Sequence, residues 1–247
     1  MTSSKKVALV TGGGGGIGTA ICVELAAGGY DVVVNFRSNR EKAEETLNRL
    51  PDGNHLIHQA SITNSAELTA MASHVRETYG RLDLLVNNAG ITTPVPHSDL
   101  DGLSDEWIDR IFQTNVRGTF AAIRAFESLL VEQEGGTVIN ISSIAARTGV
   151  GSNVAYCASK AAIDTMTLSL ARALAPQIRV VAVSPGWVWG EYASRFPQSY
   201  IDEQISKTPL GRIALPEDVA KAVLAVADNL TFSTGCIIPV DGGRPLL

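Results

Sequence analysis

Short apolar runs alternate along the whole chain with longer segments in which apolar residues recur at helical spacing. The runs Val7–Thr11, Asp31–Asn35, His55–Gln59, Leu82–Asn87, Thr137–Ser142, Arg179–Ser184 and Ile237–Val240 read as strands. They are rich in Val, Ile and Leu and lack clean polar alternation, as strands do when helices cover both faces of a parallel sheet. The helical patterns fall between them, near Ile17–Ala27, Arg40–Leu50, Ala66–Tyr79, Asp105–Glu134, Val154–Ala175 and Pro216–Asp228. Parallel strands joined through helices need right-handed crossovers. The expected architecture is therefore α/β: one domain over residues 1–247 with a doubly wound, seven-stranded parallel sheet.

Helix starts carry local signals. Ser38-Asn-Arg-Glu41 and Asn64-Ser-Ala-Glu67 have the spacing of capping boxes. Pro216 opens a helix with Glu217 and Asp218 beside its positive end. One stretch, Pro185–Arg212, fits neither period. It gathers Trp187, Trp189, Tyr192, Phe196 and Tyr200 among glycines and prolines. A long irregular segment in a compact domain is usually a lid or binding loop.

With 247 residues the chain is long enough to bury a full core without metal or disulfide staples. Its 45% hydrophobic and 18% charged content excludes intrinsic disorder. The net charge of −5 gives no basic bias for nucleic acid, and no apolar run is long enough to span a membrane. Cys22, Cys157 and Cys236 are too scattered for a disulfide framework or zinc motif, which points to a reducing, cytoplasmic compartment. His55 and His58 are more in keeping with a solvated strand edge than with a metal site, and no metal is expected.

The chemistry begins at Thr11-Gly-Gly-Gly-Gly-Gly-Ile-Gly18, between the first strand and the first helix. Glycines allow tight turns and close approach of a ligand to the main chain. The helix start offers unpaired N–H groups and partial positive charge, which suit a pyrophosphate. Gly12, Gly14, Gly15, Gly16, Ile17 and Gly18 are the residues expected against it.

The spacing Thr-Gly-x3-Gly-x-Gly resembles that of the short-chain dehydrogenase/reductase family, in its subgroup of about 250 residues. The resemblance continues through Asn87-Asn88-Ala89-Gly90, Asn115-Val116-Arg117-Gly118, Ile141-Ser142-Ser143 and Tyr156-Cys-Ala-Ser-Lys160. It closes with Ser184-Pro185-Gly186, Pro209-Leu-Gly-Arg212, Pro216-Glu-Asp-Val219 and Val240-Asp-Gly-Gly243. It implies a Rossmann-type fold, cofactor contacts from Asn88, Ala89, Gly90, Pro185, Gly186 and Val188, and a homotetramer. The subunit interfaces implied are the long helices Asp105–Glu134 and Val154–Ala175 and the segment ending Arg244-Pro-Leu-Leu247.

The second strand addresses cofactor choice. A carboxylate near its end would hold ribose hydroxyls and repel a 2′-phosphate. Here the chain reads Val34-Asn35-Phe36-Arg37-Ser38, with no carboxylate. Arg37 offers a guanidinium fork and Ser38 a hydroxyl, so NADP(H) is the preferred cofactor and NAD(H) the second option. The segment resembles those of 3-oxoacyl-carrier-protein reductases and of bacterial glucose dehydrogenases, which accept both. Ser61 stands where many relatives carry an Asp facing the adenine amine; its hydroxyl or the main chain of Ile62 can take that contact.

Tyr156 and Lys160 are spaced i, i+4 in a predicted helix and share one face. An ammonium near a phenol lowers its pKa, which proton exchange with an alcohol requires. Tyr156 is read as the acid–base group, and Lys160 as the residue that tunes it and holds the nicotinamide ribose. Ser142 and Ser143 end the fifth strand, and alternation lets only one face the substrate. Family spacing selects Ser143, to donate to the carbonyl oxygen. The resemblance adds Asn115, whose amide would hold a main-chain carbonyl and a water leading from Lys160 to solvent. Cys157 points elsewhere and reads as packing. Gly190 replaces a cofactor-contacting Thr found in many relatives.

The expected activity is hydride transfer between a nicotinamide and a small-molecule carbonyl or secondary alcohol, as in a ketone or 3-oxoacyl reductase. The lid aromatics read equally as a substrate wall or as packing against the protein's own helices or a neighbouring subunit. Beyond Arg195, Lys207 and Arg212 the lid has no cations for a highly anionic substrate. A dinucleotide-sensing or scaffolding protein is the alternative; it predicts a damaged Tyr/Lys/Ser set, and this set is intact.

Overall fold

The computed structural model of the chain describes residues 5–132, 135–191 and 193–246. Seven strands, β1 (Val7–Val10), β2 (Asp31–Phe36), β3 (Leu56–Gln59), β4 (Leu84–Asn87), β5 (Gly136–Ile141), β6 (Ile178–Pro185) and β7 (Ile237–Val240), form one sheet. Their order is β3-β2-β1-β4-β5-β6-β7, and every pair is parallel. The order reverses between β1 and β4, the switch point where sheets of this kind open a crevice.

Alternate strand residues feed two cores. On one face Val10, Val34 and Val86 pack against α1 (Gly16–Ala27) and α9 (Pro216–Asp228). On the other, Leu9, Leu85 and Val138 meet α3 (Ser65–Tyr79), α5 (Thr119–Val131) and α7 (Val154–Leu174). Each fully buried Leu or Phe is worth about 1.5–3 kcal/mol, and together they hold the carboxyl ends of the strands on a rigid frame. Among the described residues no helix is long and apolar enough to cross a membrane.

Local structure departs from the sequence pattern at several points. Asn39, not Ser38, caps α2 (Arg40–Leu47), its Oδ1 accepting the Lys42 N–H at 2.9 Å. Ser38 lies one residue outside the helix and lines the cleft instead. Asn64 does cap α3, but Glu67 reaches past it to accept the Ser61 N–H at 2.6 Å. The long helix over residues 105–134 is three pieces: α4 (Asp105–Ile111), a π-helical segment Phe112–Gly118, and α5. Its last two residues, Gln133 and Glu134, lie outside the described residues, as does Tyr192 of the lid. The irregular stretch contains a short 3-10 turn and α8 (Gln198–Ser206), and α6 (Ala145–Thr148) follows β5. His55 and His58 do not pair. His55 Nδ1 accepts the Val32 N–H at 3.0 Å, while His58 faces His74 across 2.9 Å. Among the described residues no group of three or more His, Cys, Asp or Glu is placed to hold a metal.

Candidate active site

The cleft along the carboxyl ends of the strands has two parts. The first, about 360 Å³, lies over β1 and β2 and is lined by glycine-loop residues, Arg37, Ser38, Ser61 and Ile62. Its floor is braced by hydrogen bonds from neighbouring strands. Gly13 N–H donates to Asn35 O at 2.8 Å, and the Asn88 amide donates to Thr11 O and Gly12 O, both at 3.0 Å. Thr11 Oγ1 accepts the N–H groups of Asn88 and Ala89 at 3.0 and 3.1 Å. The amide of Asn88 is thus spent on shaping the loop. Asn35, which sequence reading passed over, also donates to His58 O and Ala60 O and ties the loop to β2 and β3.

The glycines divide by role. Gly12 and Gly16 have φ of +64° and +50°, where side chains are strained. A Cβ at Gly18 would lie 2.2 Å from Gly12 O, so helix α1 starts against the loop only because no side chain intervenes. At Gly15 a Cβ would meet nothing within 4 Å. The start of α1 has neither a side-chain cap nor an acidic residue in its first turn. Its N–H groups and partial positive charge face an open cradle, which fits a dinucleotide pyrophosphate. No carboxylate lines this part of the cleft among the described residues, and Arg37 enters no ion pair there. The Ser61 hydroxyl is engaged with Thr63 Oγ1 at 2.9 Å.

The second part, about 880 Å³, opens over β5 and β6 and is lined in part by residues 185–207. It brings together Ser143, Tyr156, Lys160, Pro185, Gly186 and Val188. Asn153 caps α7 by accepting the Tyr156 N–H at 2.7 Å, which fixes Tyr156 in the first turn. Lys160 lies one turn on, buried, with Nζ 5.7 Å from the centre of the Tyr156 ring and donating to Ile141 O at 2.8 Å. Burial lowers its pKa from 10.5 to about 8, against an upward pull from Asp164. At neutral pH most of the ammonium persists, in a setting where its field is weakly screened.

Ser142 and Ser143 both line the cavity, but their hydroxyls have different partners. Ser142 Oγ donates to Lys160 O at 3.4 Å, while Ser143 Oγ accepts the Ala145 N–H at 3.2 Å. Asn115 sits in the π-helical segment, a feature often found at functional sites. Its Oδ1 accepts Ile91 N–H at 2.8 Å and its Nδ2 donates to Ile91 O and Ser159 Oγ, each at 3.1 Å. Its amide therefore holds the loop after β4 against α7. A Cβ at Gly90 would sit 3.3 Å from Asn115 Oδ1 and 3.9 Å from Lys160 Nζ, so glycine keeps that corner open. Asp164 was not anticipated. It is half-buried, and burial raises its carboxyl pKa despite Ser142, Arg147 and Lys160. Burial raises the Cys157 thiol as well, as expected of a packing residue.

Three aromatics of the 185–212 stretch pack on one another. Phe196 and Tyr200 stack at 4.7 Å between ring centres, and Trp187 meets both edge-on at 5.8 and 5.6 Å. The same three rings wall the cavity. Arg212 is engaged by Asp218 and turned away, whereas Arg244, also not anticipated, lines the cavity with Lys207.

Comparison with known proteins agrees with this geometry. A family model described as enoyl-(acyl carrier protein) reductase matches residues 12–244. A protein of Streptomyces violaceoruber, provisionally named ketoacyl reductase 2 of the granaticin polyketide synthase, is 40% identical over 98% of this chain and 96% of its own. A 3α-hydroxysteroid dehydrogenase of Mediterraneibacter gnavus is 36% identical over 98% of each chain. A crystal structure from Burkholderia xenovorans, provisionally assigned as a short-chain dehydrogenase/reductase, superposes with a TM-score of 0.93 at 31% identity over 100% of both chains.

Proposed function

The chain belongs to the short-chain dehydrogenase/reductase family of oxidoreductases, and from that premise we propose that it is an NADP(H)-preferring enzyme that interconverts a carbonyl compound and its secondary alcohol. One observation carries the reading: Tyr156, buried Lys160 and Ser143 converge in one cavity beside an uncapped helix start.

Gly14, Gly15, Gly16 and Ile17 hold the dinucleotide pyrophosphate at the start of α1, with Gly90, Pro185, Gly186 and Val188 lining the way to the nicotinamide. When bound, the nicotinamide supplies or takes up the hydride. Ser143 donates to the substrate oxygen and stabilises the charge that grows there. Tyr156 gives that oxygen a proton in reduction and removes one from the alcohol in oxidation. The Lys160 ammonium favours the phenolate that this exchange leaves behind. Asn115 is a positioning residue, since its amide fixes Ile91 and Ser159. Arg37 takes the 2′-phosphate. The aromatic wall suits a hydrophobic or cyclic carbonyl compound, consistent with ketoacyl and hydroxysteroid relatives.

The copies assemble as homotetramers through the faces that leave Phe112, Phe120 and Leu168 exposed on α4–α5 and α7; sedimentation at a mass other than four copies would refute this.

The test of the chemistry is Tyr156→Phe. Turnover of carbonyl substrates should fall by about 10²–10⁴-fold, while NADPH binding, followed by fluorescence titration, persists. Full turnover in this variant would remove the role given to Tyr156.

A further inference from the structure

We propose that the far wall of the substrate cavity is an anion anchor centred on Arg244, and that the enzyme acts on apolar carbonyl compounds carrying a carboxylate several bonds from the reacting carbon. The proposal rests on the carbonyl-reductase reading above and names its substrate class.

Its basis is an imbalance of charge. The protein carries a net charge of −5. Yet the described residues lining the larger cavity include the cations Lys160, Lys207 and Arg244 and no Asp or Glu. Lys160 belongs to the catalytic corner. Lys207 is paired with Glu203 at 2.5 Å. Arg244 enters no ion pair with a carboxylate among the described residues. Its Nη1 donates to Gln204 O at 3.0 Å and its Nη2 to Gln204 Oε1. Both acceptors are neutral and belong to a buried residue of α8, so the guanidinium is held in place and, among the described residues, meets no carboxylate. The turn below it is fixed too: Gly243 N–H donates to Asp241 Oδ1 at 2.9 Å. A cation pre-positioned in this way loses little freedom when a carboxylate docks, and a guanidinium fork matches a carboxylate in shape.

The sheet order separates this cation from the cofactor's phosphates. The glycine loop follows β1 and Arg244 follows β7, with β4, β5 and β6 between them. Four strand spacings amount to about 19 Å. Ser143 follows β5, which lies two spacings from β7, or about 10 Å. Arg244 thus stands beyond the reacting centre, as seen from the pyrophosphate cradle. Trp187, Phe196 and Tyr200 give the same cavity an apolar wall. A molecule that fills this space has a carbonyl at Ser143, an apolar body along the rings and a negative charge at Arg244.

The experiment compares benzoylpropionate and benzoylbutyrate with their methyl esters as NADPH-dependent substrates. The acids should exceed the esters in kcat/KM by about tenfold or more, the range of hydrogen bonds to charged groups. In Arg244→Met that ratio should collapse toward one, and Arg244→Lys should keep part of it. A second measurement avoids turnover: phenylbutyrate should quench tryptophan fluorescence saturably in the native protein and far more weakly in Arg244→Met. Equal turnover of acids and esters by the native enzyme overturns the anchor and leaves the reductase reading standing. So does an unchanged ratio in Arg244→Met, even if both rates fall because the lid has loosened. Saturable quenching lost in Arg244→Met, with no carbonyl compound reduced, would uphold the anchor as a site and sink the reductase reading.

Discussion

On the β1–β2 side the cleft is walled by main chain; on the β5–β7 side it is walled by side chains. In the first part, glycine φ angles, carbonyl groups and the start of α1 set the shape, and the bracing amides of Asn35 and Asn88 point at backbone. In the second, side chains from several elements converge: Tyr156 and Lys160 from α7, Trp187 from the segment after β6 and Arg244 from the turn after β7. The contrast explains how one fold keeps a cofactor site while its substrate site diverges. A main-chain cradle fails as a unit, whereas a side-chain wall changes one contact at a time.

Lys160 breaks that contrast most severely, because it is a side chain on which everything local depends. Lys160→Met should lower turnover by about 10²–10⁴-fold. It should also stabilise the protein. The unfolded chain holds the lysine proton up to 10.5 and the folded chain only up to about 8. The buried charge therefore costs stability below about 8, and the cost fades as pH rises from there toward 10.5. The shift corresponds to about 3 kcal/mol as an upper bound, and loss of the bond to Ile141 O offsets part of it. A thermal melt at neutral pH should show a higher midpoint for the variant; a lower one would mean that the ammonium is better compensated than its burial indicates. In the native enzyme, catalysis that needs this charge should decline as pH rises through about 8.

Gly18→Ala probes the cradle. Its Cβ would meet Gly12 O at 2.2 Å and Asn88 Nδ2 at 2.7 Å, so loop and helix must part. The expected cost is about 1–3 kcal/mol of stability, with cofactor affinity falling at least tenfold. Gly15→Ala, with open space around it, should change the melting midpoint little. If the two variants melt alike, close backbone packing does not shape this part of the cleft.

The main-chain half was the easier to read in advance. Glycine spacing between a strand and a helix has few physical meanings, so Gly12, Gly16 and Gly18 could be placed from sequence alone. The i, i+4 pair Tyr156–Lys160 was legible for the same reason, since both partners lie on one helix. What escaped was produced by tertiary contact. Apolar periodicity does not reveal the π-helical segment that carries Asn115, because it adds only a local register shift. Asn39 displaced Ser38 as the cap because neighbouring residues have nearly equal capping propensity. Arg244 reaches the cavity from the last turn of the chain, and no local pattern links it to Gln204, 40 residues earlier.

Arg37 sits where the two kinds of wall meet: a side chain at the rim of the main-chain cradle. Arg37→Ala should raise KM for NADPH by about tenfold, as expected for loss of a charge-assisted contact to phosphate, while KM for NADH moves much less. Equal changes for the two cofactors would show that Arg37 faces only water.

The smallest effect is expected where the two halves touch. Lys42 on α2, next to the glycine loop, forms an ion pair with Glu191 of the lid. The bridge links α2 to the segment that follows β6. Both side chains are exposed, however, so solvent and salt screen their attraction and much of what remains is spent ordering them. Lys42→Met and Glu191→Gln should each change KM for NADPH by no more than about two- to threefold, and the double variant by no more than either single one. Raising the salt concentration should erase even that difference in the native enzyme. A larger, salt-resistant effect would mean that the lid is latched to the cofactor half, and that the two walls of the cleft close as one body rather than acting separately.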